Sequence, residues 1–125
     1  PRLANIATRG FVGVGDNVLI GGMIIGGAEP QTVLIRARGP SLAAFGVAGT
    51  LANPVLHLYD VAGQIIDQND DWQDHLDSAS INPDFAPSDP TEAAILKTLT
   101  PGAYTAIVHG SDGTEGVGIV EVFAQ

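Results

Sequence analysis

The sequence predicts an all-β domain, an antiparallel β-sandwich of jelly-roll type with eight or nine short strands and one short helical turn. Three observations carry that expectation. Sixteen Gly and eight Pro in 125 residues cut the chain into short elements separated by turns. Hydrophobic residues reach 45%, enough for a real core at this length, while the helix formers Lys, Gln and Met are scarce. The runs between the turn residues are β-branched, and several alternate apolar with polar, the period of a half-buried strand.

The elements follow in order. Residues 3–8 read as a short strand, followed by a Gly-rich bend, GFVGVGDN, at residues 10–17. Residues 18–25 and 32–38 read as strands, joined by AEPQ at residues 28–31 as a hairpin connection. The glycine pairs at 21–22 and 26–27 mark a bulge or a close backbone approach. GPSLAAFG, residues 39–46, is the helical turn, with Ser41 as its cap and Gly46 as its end. After Asn53-Pro54, VLHLYD meets QIID across VAG as a hairpin. The polar region of residues 68–91 has little period and reads as a long loop. Ala93–Leu99 is a strand, TPGAYTAIVHG is a turn and a strand, SDGTEG is a turn, and residues 117–123 close the domain. All of this fits one domain, residues 1–125.

Charge narrows the function classes. Fourteen acids against five bases leave a net charge of −9, with no basic residue between Arg38 and Lys97. Nucleic acid requires a basic footprint for counterion release, and anionic membrane surfaces require the same, so both are disfavoured. The acidic balance suits an extracellular or cell-surface protein among divalent cations. Without Cys there is no disulfide, thiolate or zinc–sulfur chemistry. No apolar run approaches the roughly 18 residues that span a bilayer, so membrane insertion is not expected. A chain that does not begin with Met reads as a processed mature protein or an excerpt of a longer one.

The densest chemistry lies in DQNDDWQDHLD, residues 67–77. Asp67, Asn69 and Asp71 stand at i, i+2 and i+4, the spacing with which short calcium loops place oxygen ligands, and Asp60 can join from across the hairpin. The pattern is incomplete: Trp72 stands where such a loop needs Gly, and no Glu follows at the twelfth position. The alternative is a solvated loop whose Asp and Asn side chains satisfy local backbone donors. Catalysis fits the stretch poorly, since a glycosidase needs two carboxyls tuned apart across a cleft. Asp74 and His75 lack a Ser in a G-x-S-x-G elbow. His57, His75 and His109 are too far apart in sequence to suggest a metal triad. Gly13-Val14-Gly15 lacks the third Gly and the following helix of a nucleotide loop.

Two further ligand readings stay open. Arg36 and Arg38 share one face of their strand and can hold an anionic ligand or sugar, or pair with acids such as Asp60 or Glu121. Tyr59 and Trp72 can form a sugar-stacking platform, or Trp72 can plug the sandwich edge.

The motifs TRGFVGVGDNVLIGGMIIGG, TVLIRARGPSLAAFGV, LANPVLHLYD, NDDW and LTPGAYTAIVHG together resemble a repeat-type β-sandwich module of large secreted bacterial proteins. That resemblance spans nearly the whole chain and implies no particular activity. The second half, LYDVAGQIIDQNDDW to TPGAYTAIVHG, is similar to bacterial pre-peptidase C-terminal domains. The similarity implies a β-sandwich on a secreted enzyme, binding calcium or extracellular polymer, with Asp60, Asn69, Asp70 and Asp71 as the candidate calcium ligands.

Two functions from different classes follow. The first is a non-catalytic structural or adhesion module of a secreted or cell-surface protein, calcium-stabilised, contacting neighbouring domains of its chain or extracellular polysaccharide; a carbohydrate-binding module is a narrower version. The second is a self-assembling subunit of an extracellular filament, a homo-oligomer built by strand addition or head-to-tail packing. In that version residues 1–10 are an exchangeable N-terminal strand, with Leu3, Ala4, Asn5, Ile6, Ala7 and Thr8 as the assembly residues.

Overall fold

The computed structural model describes residues 5–15 and 17–124. Its strands are β1 (Asn5–Val12), β2 (Leu19–Ile25), β3 (Gln31–Arg38), β4 (Pro54–Tyr59), β5 (Ile65–Asn69), β6 (Ala93–Leu99), β7 (Gly102–Gly110) and β8 (Gly116–Ala124). They form two four-stranded sheets, sheet A in the order β1-β8-β3-β6 and sheet B in the order β2-β7-β4-β5. Every strand pairing is antiparallel. The expected all-β sandwich is what the chain forms, with eight strands and only short 3-10 turns beside them among the described residues.

The period of two explains the core. In β4, Pro54, Leu56 and Leu58 are buried while Val55, His57 and Tyr59 are half-exposed. Val33, Ile35, Ile95 and Val120 from sheet A meet Ile25, Leu56, Leu58 and Val108 from sheet B in one apolar cluster. Each such side chain, fully buried, contributes about 1.5–3 kcal/mol. Strands β3 and β6 bury apolar side chains on both faces. On the far side of sheet A, Leu34, Ala94 and Leu96 pack against Ile81, Trp72, Ala86 and Phe123. The chain between β5 and β6 is therefore a cover over the outer face of sheet A, with short 3-10 turns at Trp72–Asp74 and Ser78–Ser80.

Four local expectations change. The first strand runs on through Gly10 and Phe11 to Val12, because β8 supplies a ladder partner for each residue, with Gly10 opposite Gly118. The bend begins only at Gly13, whose N–H donates to the Asn17 carbonyl at 2.6 Å. AEPQ is not a hairpin connection: β2 and β3 lie in different sheets, so this segment crosses between layers. Turn residues signal a reversal, and only the distant partners β7 and β8 decide where each strand goes.

The helical turn is a 3-10 helix over Pro40–Phe45, with Gly39 at its N-cap, Pro40 in its first turn and Gly46 ending it in the left-handed conformation. Ser41 sits inside the turn and does not cap it. Its N–H and hydroxyl, with the Gly39 N–H, all donate to Oε2 of the buried Glu92, at 3.0, 2.6 and 2.9 Å. Gly39 is needed for space, since a Cβ there would collide with the Leu51 carbonyl oxygen.

Among the described residues no helix is long and apolar enough to cross a membrane.

Candidate functional site

The β4–β5 hairpin positions the acidic stretch. Asp60 opens the turn, and its Oδ1 accepts from the N–H groups of Ala62 and Gln64, both at 3.0 Å. This is an Asx-type turn closed by its own first residue. In β5, Asp67 pairs opposite the inward-facing Leu58. Its Oδ2 accepts from His75 Nε2 at 3.0 Å and lies 3.8 Å from Lys97 Nζ on β6. Asp77 N–H donates to His75 Nδ1 at 3.3 Å, so the imidazole proton toward Asp67 is on Nε2.

Asn69 is buried, accepting from Ala94 N–H at 2.9 Å and donating to the Asp71 carbonyl at 3.0 Å. It fastens the departing chain to β6. Trp72 continues the fastening, its N–H donating to the Glu92 carbonyl at 2.9 Å. Asp71 precedes the first 3-10 turn, and its carbonyl accepts from Asp74 N–H at 2.9 Å.

Asp70 stands apart at the strand end. With its amide oriented to satisfy both neighbours, Asn53 donates to Asp70 Oδ1 at 2.9 Å and to the Thr91 carbonyl at 3.1 Å. Partial burial, then the like charges of Asp71, Asp112 and Asp74, raise the Asp70 pKa above the ordinary carboxylate value, and His109 opposes the rise.

Asp60, Asp67, Asn69, Asp70 and Asp71, the expected calcium ligands, are thus not brought together into one ligand shell. A calcium loop curls round its ion, whereas residues 65–69 are extended and paired with β4. Asp67 and Asn69 turn inward toward sheet A, and Asp60 closes its own turn. Among the described residues no group of three or more His, Asp or Glu is placed to hold a metal ion.

Arg36 and Arg38 converge on Glu121 of β8, with Nε to Oε1 distances of 2.6 and 2.7 Å and Nη2 to Oε2 distances of 3.3 and 3.2 Å. Arg36 also donates to the Phe85 carbonyl at 2.9 Å and lies over the Phe123 ring. Of the partners weighed for these arginines, Glu121 is the one they meet and Asp60 is not. Tyr59 and Trp72 do not share a platform. Tyr59 is on the outer face of sheet B, and Trp72 packs against the outer face of sheet A.

The assembly residues divide. Leu3 and Ala4 lie outside the described residues. The backbone of Asn5, Ile6, Ala7 and Thr8 is paired within the chain, opposite Phe123, Val122, Glu121 and Val120 of β8.

Sequence reasoning missed two features. His57 and His109, separate in sequence, stand on neighbouring strands with ring centroids 4.7 Å apart, and Tyr59 Oη lies 3.5 Å from His57 Nδ1. Partial burial, then His109, lowers the His57 pKa. The β4–β7 register sets Val55 opposite His109 and His57 opposite Ile107, which no local signal reveals. The second is Glu92, fully buried, whose position directly before the apolar run AAIL was the available hint.

The two histidines belong to a wider surface. In β2, β4 and β7 the residues alternating with the buried ones are Ile20, Gly22 and Ile24; Val55, His57 and Tyr59; and Ala103, Thr105, Ile107 and His109. Together they make the outer face of sheet B, and none is a carboxylate, Lys or Arg.

No family model matches the chain, and no curated protein matches it. Among solved structures, the pre-peptidase C-terminal domain of a collagenase from Bacillus anthracis is similar, with a TM-score of 0.58 and 12% identity, covering 98% of this chain and 96% of that one. The likeness takes in both halves of the sandwich, beyond the second-half motifs that resemble such domains in sequence. At this identity it concerns architecture: the chain has a fold similar to that of a pre-peptidase C-terminal domain.

Proposed function

We propose that this chain is a non-catalytic contact module, a structural or adhesion unit of a secreted or cell-surface protein. One observation carries the reading. The polar side chains expected to do chemistry are engaged inside the fold, Asp60 on its turn, Asp67 with His75, and Arg36 and Arg38 with Glu121. By contrast, the outer face of sheet B presents apolar, aromatic and imidazole groups uncovered. Tyr59, His57, Thr105 and Ile107 combine a ring, hydrogen-bonding groups and an aliphatic surface, a mixture suited to a neutral extracellular polymer. The fold's likeness to a domain of a collagenase supports an accessory role beside an enzyme. The net charge of −9 supports an extracellular setting and a neutral rather than anionic partner. The reading assigns no role to calcium, because the side chains of Asp60, Asp67, Asn69 and Asp70 already make hydrogen bonds within the fold.

Co-sedimentation with insoluble cellulose, chitin, peptidoglycan and fibrillar collagen tests it. The expected result is retention on at least one polymer, with Tyr59→Ala binding about tenfold more weakly. Release of soluble product from any polymer, or no retention on all four, would overturn the reading.

A further inference from the structure

A sheet edge is a row of unpaired N–H and C=O groups, and proteins that stay single guard it with charge, Pro, a bulge or brevity. Three of the four edges here are guarded. β1 carries Arg9, β6 carries Lys97, and β5 is five residues long, carries Asp67 and is offset by a bulge between Leu58 and Tyr59 of its neighbour. The fourth edge, β2, has none of these devices. LIGGMII contains no charge and no Pro, and residues 17–28 around it hold no charged side chain. Its register with β7 runs unbroken from Leu19 opposite Val108 to Ile25 opposite Gly102. Ile20 and Ile24 on its outer face are 56% and 75% exposed.

The same strand is self-complementary. An antiparallel pairing of two copies centred on Gly22 sets Ile20 opposite Ile24 of the second copy on the outer face, twice by symmetry, with the two Gly22 residues facing each other between them. On the inner face Leu19 stands opposite Ile25, and Gly21 opposite Met23. Directly opposed apolar residues across such a pair attract, and every contact is isologous, as a two-fold axis requires.

We infer that the β2 edge is a homodimer interface. The occupant it fits is a second copy of this chain, joining two copies of sheet B into one sheet of eight strands. Charge favours this location. Two chains of −9 repel over most of their surface, and β2 is where they meet with no charge on either side. The pairing uses β2 and leaves Tyr59 and His57 open, so it goes beyond the polymer-contact reading and can fail independently of it.

Analytical ultracentrifugation of the whole chain tests the proposal. The wild type is expected to sediment at twice its 12.8 kDa mass and to dissociate on dilution. Ile24→Lys, at a highly exposed position, is expected to keep the wild-type circular dichroism and melting temperature while dissociating at least about tenfold more readily, because an unpaired ammonium then faces an isoleucine. A Cβ at Gly22 meets nothing, and the chain has no Cys, so Gly22→Cys places a single thiol on the two-fold axis. It is expected to form a cross-linked dimer with a short bis-maleimide, whereas Gln68→Cys on the opposite edge is not. A wild type that stays monomeric at the highest soluble concentration overturns the proposal. So does a dimer unchanged by Ile24→Lys, or one that cross-links through Gln68→Cys and not through Gly22→Cys.

Discussion

Glu121 shows how a single side chain organises one face of this molecule. It is 7% exposed and accepts from two guanidinium groups, each of which would otherwise face an apolar sheet. Removing the carboxylate strands both cations, which costs more than the net worth of the pairs themselves. Glu121→Ala is expected to lower unfolding stability by about 3 kcal/mol, read as a shift of the urea midpoint at unchanged slope, and Glu121→Gln by less. His57 acts through its protonation. Its folded pKa lies below the ordinary 6.5, so as pH falls the unfolded chain takes up the proton first and the folded state loses stability. Between about pH 7.5 and 5.5, the urea midpoint of His57→Gln is therefore expected to fall less than that of the wild type; parallel curves would show that this imidazole does not contribute. Asp70, with its raised pKa, works in the opposite sense at lower pH, where its protonation favours the folded chain. Residue chemistry was only partly legible. The Arg–Glu121 pairing was among the partners the period of two allowed, while the His57–His109 contact depends on a register that no stretch of sequence encodes.

At the scale of elements, the strands were legible because each is bounded by its own turn chemistry. Ala93–Leu99 and the two arms of the β4–β5 hairpin stand where alternation and the VAG turn put them. The loop between β5 and β6 was legible as a loop and not as a cover. Its apolar residues, Trp72, Ile81, Phe85 and Ala86, are too sparse for a period, yet they close over sheet A, and Phe85 stacks on Phe123 at 5.2 Å. Ile81 is 5% exposed within this loop. Ile81→Ala is expected to cost about 2–4 kcal/mol, expressed locally. Limited proteolysis should cut within residues 73–91 sooner than in the wild type, while hydrogen exchange of the β4 and β7 amides stays protected. Equal exchange gains throughout both sheets would instead mean that cover and sandwich unfold as one unit.

For the whole molecule, connectivity is the decisive feature. Among the described residues only the β4–β5 pairing joins strands consecutive in sequence; β1 with β8, β2 with β7, β3 with β6 and β8, and β4 with β7 all close long loops. Such topology is entropically costly to assemble and is slow to form. It also explains why AEPQ carries the chain between layers and not round a hairpin, and why one sheet is roofed while the other is bare. By itself the sequence determined the all-β class, the turns, most strand positions and the absence of thiol chemistry, because alternation, β-branching and Gly or Pro placement act over a few residues. Tertiary structure alone decided which strands are neighbours, which hydrogen bonds Asp60, Asp67 and Asn69 make within the fold, and that β2 is an unguarded edge. Those outcomes depend on packing two sheets against one core, where partners distant in the chain compete and the best burial of apolar faces wins.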